Sequence, residues 1–170
     1  MAKAQSVKQC PDIPRIRSFQ YPLFQLRIIR FIAYFCAVFM KPVSELYQDL
    51  QQKKKVLITM HQKPDGDAMG SALGLYHFMK QFGHELTVIS PTNWASFLNW
   101  MPGCEVVLDF EKYADKARAA QAIREADWLF CLDFNTLVRT KNMEPALAAA
   151  NGKRILIDHH QQPQTLMFAY

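Results

Sequence analysis

Three short apolar runs in this chain end alike. VLITM (56–60) runs into His61-Gln62-Lys63-Pro64-Asp65-Gly66-Asp67, WLFCL (128–132) ends in Asp133, and RILI (154–157) ends in Asp158-His159-His160. Apolar, β-rich runs of this length predict parallel strands buried on both faces. ELTVIS (85–90) predicts a further strand, and LMFAY (166–170) a last one at the sheet's edge. Helical segments separate them. Ala72, Leu75, Tyr76, Met79 and Phe82 fall on helical spacing within 68–82, which Gly83 stops. Strong helix formers fill 112–126, PALAAA (145–150) forms a short helix closed by Asn151-Gly152, and an amphipathic leading helix covers Pro42 to Gln52. Strands alternating with helices predict an α/β fold: an open, mainly parallel sheet with helices on both faces, joined by right-handed crossovers.

In such a sheet, ligands sit outside the carboxyl ends of the strands. The three polar clusters are therefore expected to converge on one edge. Convergence gathers four carboxylates, Asp65, Asp67, Asp133 and Asp158, with three imidazoles, His61, His159 and His160. Lys63 is the one lysine within these motifs, so the carboxylates would repel strongly. Divalent cations relieve that repulsion. Oxygen and imidazole ligands without thiolate favour a metal such as Mn²⁺, with Mg²⁺ or Co²⁺ as substitutes, over structural zinc. So many ligands suggest two ions, about 3.5–4 Å apart and sharing a bridging carboxylate. The Pro64–Asp67 turn ahead of a helix also offers backbone N–H groups to an anionic substrate.

Each fragment alone has an ordinary explanation. Asp67 suits the N-cap of a helix starting at Ala68, Asp133 a strand end, His159-His160 a surface pair, and Pro-Asp-Gly-Asp a turn. What favours function is their coincidence at three separate strand ends.

The net charge of +5 belongs to the first part of the chain. Residues 1–55 hold ten Lys/Arg against three Asp/Glu (+7), and residues 56–170 hold ten against twelve (−2). The domain that would bind substrate thus carries no basic footprint of its own. Residues 1–39 form a basic and apolar extension, and 40–170 form the domain. Within the extension, 23–40 is strongly apolar but interrupted by Gln25, Arg27 and Arg30. Its unbroken run, Phe31 to Met40, is about half the ~20 residues a spanning helix needs. A membrane-associating helix and a helix packed on the domain are both open. The favoured expectation is that translation properly starts at Met40. Cys10, Cys36, Cys104 and Cys131 fit neither a zinc ribbon nor a disulfide framework, so a reducing cytoplasm is the simplest setting, with Cys131 a buried thiol.

The motifs resemble the DHH phosphoesterase superfamily, which includes RecJ-like exonucleases, family II inorganic pyrophosphatases and the oligoribonuclease/pAp phosphatase group. His61 to Ser71 matches the first motif throughout, Leu132-Asp133-Phe134-Asn135 the second, and Ile157-Asp158-His159-His160 the third. The match covers roughly residues 41–170, and the Asp-Phe-Asn variant looks most similar to the oligoribonuclease/pAp phosphatase branch.

The resemblance implies a Mn²⁺-dependent phosphoesterase acting on short RNA or nucleotides. It implies that His61 and Asp65 bind a first metal, that Asp67 and His159 bind a second, and that Asp133 bridges both. His160 would contact the scissile phosphate, Asp158 would orient His159, and Arg139 would reach substrate or brace the site. Cyclic-dinucleotide phosphodiesterase, pyrophosphatase and a non-catalytic nucleotide- or metal-binding fragment are the alternatives, and homodimerisation is open. The family has a further metal-binding aspartate and a C-terminal substrate-handling domain downstream of Asp-His-His. Their absence before Tyr170 leads to the expectation of a C-terminally incomplete domain, the N-terminal part of a longer enzyme.

Overall fold

The computed structural model describes residues 43–170. The expectations for residues 1–42, membrane association through 23–40 included, lie outside the described residues. Helix α1 (Val43–Asp49) leads into β1 (Lys55–Thr59). Helix α2 (Gly66–Lys80) and β2 (Glu85–Ser90) follow, then β3 (Val107–Asp109), α3 (Tyr113–Glu125) and β4 (Trp128–Leu132). Helix α4 (Glu144–Ala149) and β5 (Lys153–Ile157) complete the sheet. The five strands are all parallel, in the order β3-β2-β1-β4-β5. The chain starts at β1, builds outward through β2 and β3, then crosses back to place β4 on β1's other side. The β1/β4 boundary is thus the topological switch point, where open α/β sheets form their ligand crevice.

Both faces of the sheet are buried, as the unbroken apolar runs predict. Val56, Ile58, Trp128, Phe130 and Leu132 point to one face, where Ala68, Met69, Ala72 and Leu73 of α2 and Leu46 of α1 cover them. Leu57, Ile89, Leu129 and Cys131 point to the other, covered by Ala119 and Ile123 of α3 and Leu147 of α4. Burial pushes the Cys131 thiol up to about 12, so it stays protonated and inert. Among the described residues no helix is long and apolar enough to cross a membrane.

Two elements differ from expectation. Strand β3 is only three residues long and follows a long connection with 3₁₀ turns at Ser96–Leu98 and Cys104–Val106. LMFAY is not a strand: Thr165–Met167 is a 3₁₀ turn. Asn135 explains this, because its carbonyl accepts the Gln164 N–H at 2.9 Å and its side-chain amide donates to Gln161 O at 2.7 Å. The chain is held against the loop after β4 and must turn before it reaches the sheet. Only its end runs beside β5, with Ala169 N–H donating to Arg154 O at 2.7 Å and Leu156 N–H to Tyr170 O at 3.0 Å. Arg154 also donates to the carbonyls of Leu147, Ala148 and Ala150, satisfying the end of α4.

At the opposite edge, His84 is buried ahead of β2, stacked on Phe82, and its Nδ1 accepts the Lys54 N–H at 3.2 Å. Burial holds its pKa below the usual 6.5, opposed by the nearby Leu50 backbone and assisted by the Lys54 charge. The unfolded chain therefore takes up this proton at higher pH than the folded one. The stability from neutral His84 is complete above 6.5 and is lost as pH falls toward the folded value. Urea midpoints measured at about pH 7.5 and about pH 5.5 should fall more for the natural chain than for His84→Gln, which keeps an acceptor for Lys54 but does not titrate. Equal falls would show that His84 is not the group responsible.

Candidate metal centre

All three polar clusters reach the carboxyl edge at the β1/β4/β5 ends. Met60 and His61 continue from β1. His61 is buried, and its Nδ1–H donates to Gln62 O at 2.7 Å, which turns Nε2 toward the carboxylates. The loop after it is pinned on two sides. The Lys63 N–H donates to Thr92 Oγ1 at 2.7 Å, and the Gln62 N–H to Arg139 O at 2.8 Å. Asp65 then caps α2, its Oδ1 accepting the N–H groups of Asp67 at 3.0 Å and Ala68 at 3.1 Å.

This corrects the expected cap. Asp65, not Asp67, holds the N-cap, and Asp67 lies inside the first turn. The Asp67 and Ala68 N–H groups are taken by a carboxylate, so they are not open to an anionic substrate. The Ala68 bond, with that to Asp67, holds the Asp65 carboxyl below its ordinary pKa, aided by the nearby His61 and Arg139 charges and opposed by burial. Asp65 Oδ2 remains for a cation. Asp65→Ala should lower stability by about 1 kcal/mol through the lost cap, while Asp65→Asn, which retains a capping oxygen, should cost at most a few tenths. Both should weaken metal binding. Equal stability of the two variants in urea denaturation would refute the capping role.

Asp133 follows β4 with φ 59°, in the left-handed region that aspartate tolerates better than most side chains. Its carboxylate is almost wholly buried, and its two oxygens face different partners. Oδ2 lies 3.5 Å from His61 Nε2, which is itself 3.9 Å from Asp65 Oδ2. Oδ1 lies 3.2 Å from His159 Nε2, which is 4.0 Å from Asp67 Oδ2. Among the described residues two groups close enough to hold a cation share Asp133: His61, Asp65 and Asp133, and Asp133, His159 and His160.

His160 in the second group is committed elsewhere. Its Nδ1 lies 2.6 Å from Asp158 Oδ1 and its Nε2 lies 3.0 Å from Arg139 Nη1. A guanidinium only donates, so Nε2 accepts and Nδ1–H donates to Asp158. With both His160 nitrogens used, Asp67, 4.0 Å from His159 Nε2, is the further carboxylate beside Asp133 and His159. Asp158 orients His160 rather than the expected His159. The Asp158 side chain is 2% exposed, and its Oδ2 is buried without a hydrogen-bond partner among the described residues.

Every residue expected at the site is thus on this edge. Sequence reading missed Asn135 as the clamp on residues 161–164, though it stands in the second motif, and missed Ser71 and Ile157. These two line the roughly 320 Å³ cleft with Asp67, Asp133, Asp158 and His159. Imidazole nitrogens facing paired carboxylates, with no lysine or arginine paired with Asp133 among the described residues, fit divalent cations.

The model of the DHH family, N-terminal domain, matches residues 55–169. Among solved structures, the chain is similar to an exopolyphosphatase-related protein from Bacteroides fragilis, at 39% identity and a TM-score of 0.67. The match covers 72% of this chain and 36% of that one, so the chain spans about a third of its relative's length. No curated protein matches the chain. With its three motifs gathered on one edge of a parallel sheet and the family model spanning most of its length, the chain belongs to the DHH family.

Proposed function

We propose that this chain hydrolyses phosphoester bonds of short oligoribonucleotides or of pAp with two Mn²⁺ ions, within the oligoribonuclease/pAp phosphatase branch. The observation that supports this most is Asp133, whose two carboxylate oxygens face two separate ligand groups. His61 and Asp65 would hold one ion, Asp67 and His159 the other, and Asp133 both. When bound, such a pair supplies a water acidified to near-neutral pKa and neutralises charge on the phosphoryl oxygens.

The chain's own residues do the rest. The Gln62 carbonyl fixes the His61 ring so that Nε2 faces the carboxylates. Buried Asp133 is held in place by its N–H, which donates to Ile157 O at 3.1 Å and ties the β4 end to β5. Arg139 presents its remaining N–H donors to a phosphate oxygen, positioned by His160, which Asp158 holds in turn, and by the Arg139 carbonyl's bond to Gln62.

A second reading is favoured by the Bacteroides protein's description as exopolyphosphatase-related, which points to phosphoanhydride bonds. Both are tested by incubating the chain with Mn²⁺, Mg²⁺ or Co²⁺ and a short RNA, pAp, a cyclic dinucleotide, pyrophosphate or polyphosphate. Mononucleotide release from RNA and phosphate release from pAp are expected, strongest with Mn²⁺. Phosphate release from the anhydrides alone would establish the second reading. No hydrolysis with two ions bound would show a binding fragment rather than an enzyme.

A further inference from the structure

We propose that a second cleft, lined by the connection between β2 and β3, by β3 and by the start of α3, is a nucleoside-binding subsite. It would take the base and ribose of a nucleotide whose phosphate lies at the metal centre. The cleft measures about 490 Å³, within the ~300–1,000 Å³ of small-molecule sites. Its β2–β3 connection is tied to the loop that carries Asp65. Its wall residue Asn93 follows Thr92, whose hydroxyl accepts the Lys63 N–H at 2.7 Å, and Lys63 stands two residues before Asp65. None of its lining residues belongs to the metal-ligand groups.

Its chemistry suits a nucleoside rather than a phosphate. Trp94 is half-buried, and its indole N–H donates to Asn99 Oδ1 at 2.9 Å, which fixes the ring as a stacking surface. The Cys104 thiol shares that acceptor at 3.7 Å, so the Asn99 amide nitrogen is left to donate to a ligand. Also in the lining, Asp109 Oδ1 accepts the Glu111 N–H at 2.9 Å and Asp115 Oδ2 accepts the Asp109 N–H at 3.2 Å. Each carboxylate keeps a second oxygen for a ribose hydroxyl. With Lys112 the one cation in a lining that holds three acidic residues, the cleft is net negative and disfavours phosphate. These carboxylates do not form a cation site either, because among the described residues the groups able to hold a metal both contain Asp133.

The proposal rests on the metal centre as the phosphate end, and a phosphate-free probe separates the two readings. Equilibrium dialysis of adenosine against the chain should show binding of one molecule with or without Mn²⁺, and inorganic phosphate should not displace it. Trp94→Leu should weaken adenosine by about ten-fold. Trp94 also packs on the core, so Asp109→Asn is the companion variant. It should weaken adenosine while leaving 2′,3′-dideoxyadenosine unchanged. Absence of adenosine binding, displacement by phosphate, or equal effects of Asp109→Asn on both nucleosides would overturn the subsite. Adenosine binding in a chain that hydrolyses none of the phosphate substrates supports the subsite and overturns the phosphoesterase reading instead.

Discussion

Asp133→Asn is expected to remove both metal ions while leaving the fold standing. Each oxygen of this carboxylate faces its own imidazole, at 3.5 Å and 3.2 Å, so one substitution withdraws a charged ligand from each group. Loss of a partner that merely supports a ligand costs about 10–100-fold in metal affinity, and loss of a shared ligand should exceed that range for both ions. Hydrolysis falls with them. Isothermal titration should show two Mn²⁺ ions on the natural chain and none at comparable concentration on the variant. His61→Gln, which touches one group only, should retain a single ion. Asparagine is the informative substitution because it tolerates the left-handed backbone at φ 59°. Asp133→Ala should bind no better and also lose about 1–2 kcal/mol of stability, since alanine is strained there. Two ions on Asp133→Asn would end the bridging assignment.

Much of this site was legible because its signal is local in sequence and its convergence follows from topology. A parallel strand of five residues places whatever follows it on the carboxyl edge, so His61, Asp133 and Asp158 were located before their neighbours were known. What escaped depends on distances between loops. The motif Pro-Asp-Gly-Asp offers two aspartates that could cap the helix, and one residue of difference in helix start decides between them. Asp65 wins because its extended backbone, at φ −91° and ψ −167°, turns Oδ1 onto two N–H groups. Asp158 precedes both histidines, and spacing alone does not say which ring it meets. Strand β3 escaped because three residues carry almost no periodicity. The 3₁₀ segment Leu137–Met143, which carries Arg139, escaped for a related reason: it breaks at Lys141, with φ 54°, so no helical pattern runs through it.

That segment leads to the second large effect. Arg139→Ala should lower hydrolysis by about 10²–10³-fold, the range for removing one donor to developing charge, while both metal ions stay bound. Among the described residues Arg139 is the partner of His160 Nε2, at 3.0 Å, and Asp158 holds the other nitrogen at 2.6 Å. The three side chains act as one unit, so their losses should not add. Arg139→Ala combined with His160→Ala should cost little more than His160→Ala alone, which a double-mutant cycle reads as a coupling energy. Arg139→Lys should recover little, because the ammonium presents a point charge where the guanidinium offers a planar fork that can serve His160 and a phosphate together. Metal stoichiometry separates this outcome from that of Asp133→Asn: the first variant is slow with two ions, the second slow with none. Loss of metal in Arg139→Ala, or additive losses in the cycle, would make Arg139 a brace for the β4 loop through its backbone bond to Gln62 rather than a phosphate contact.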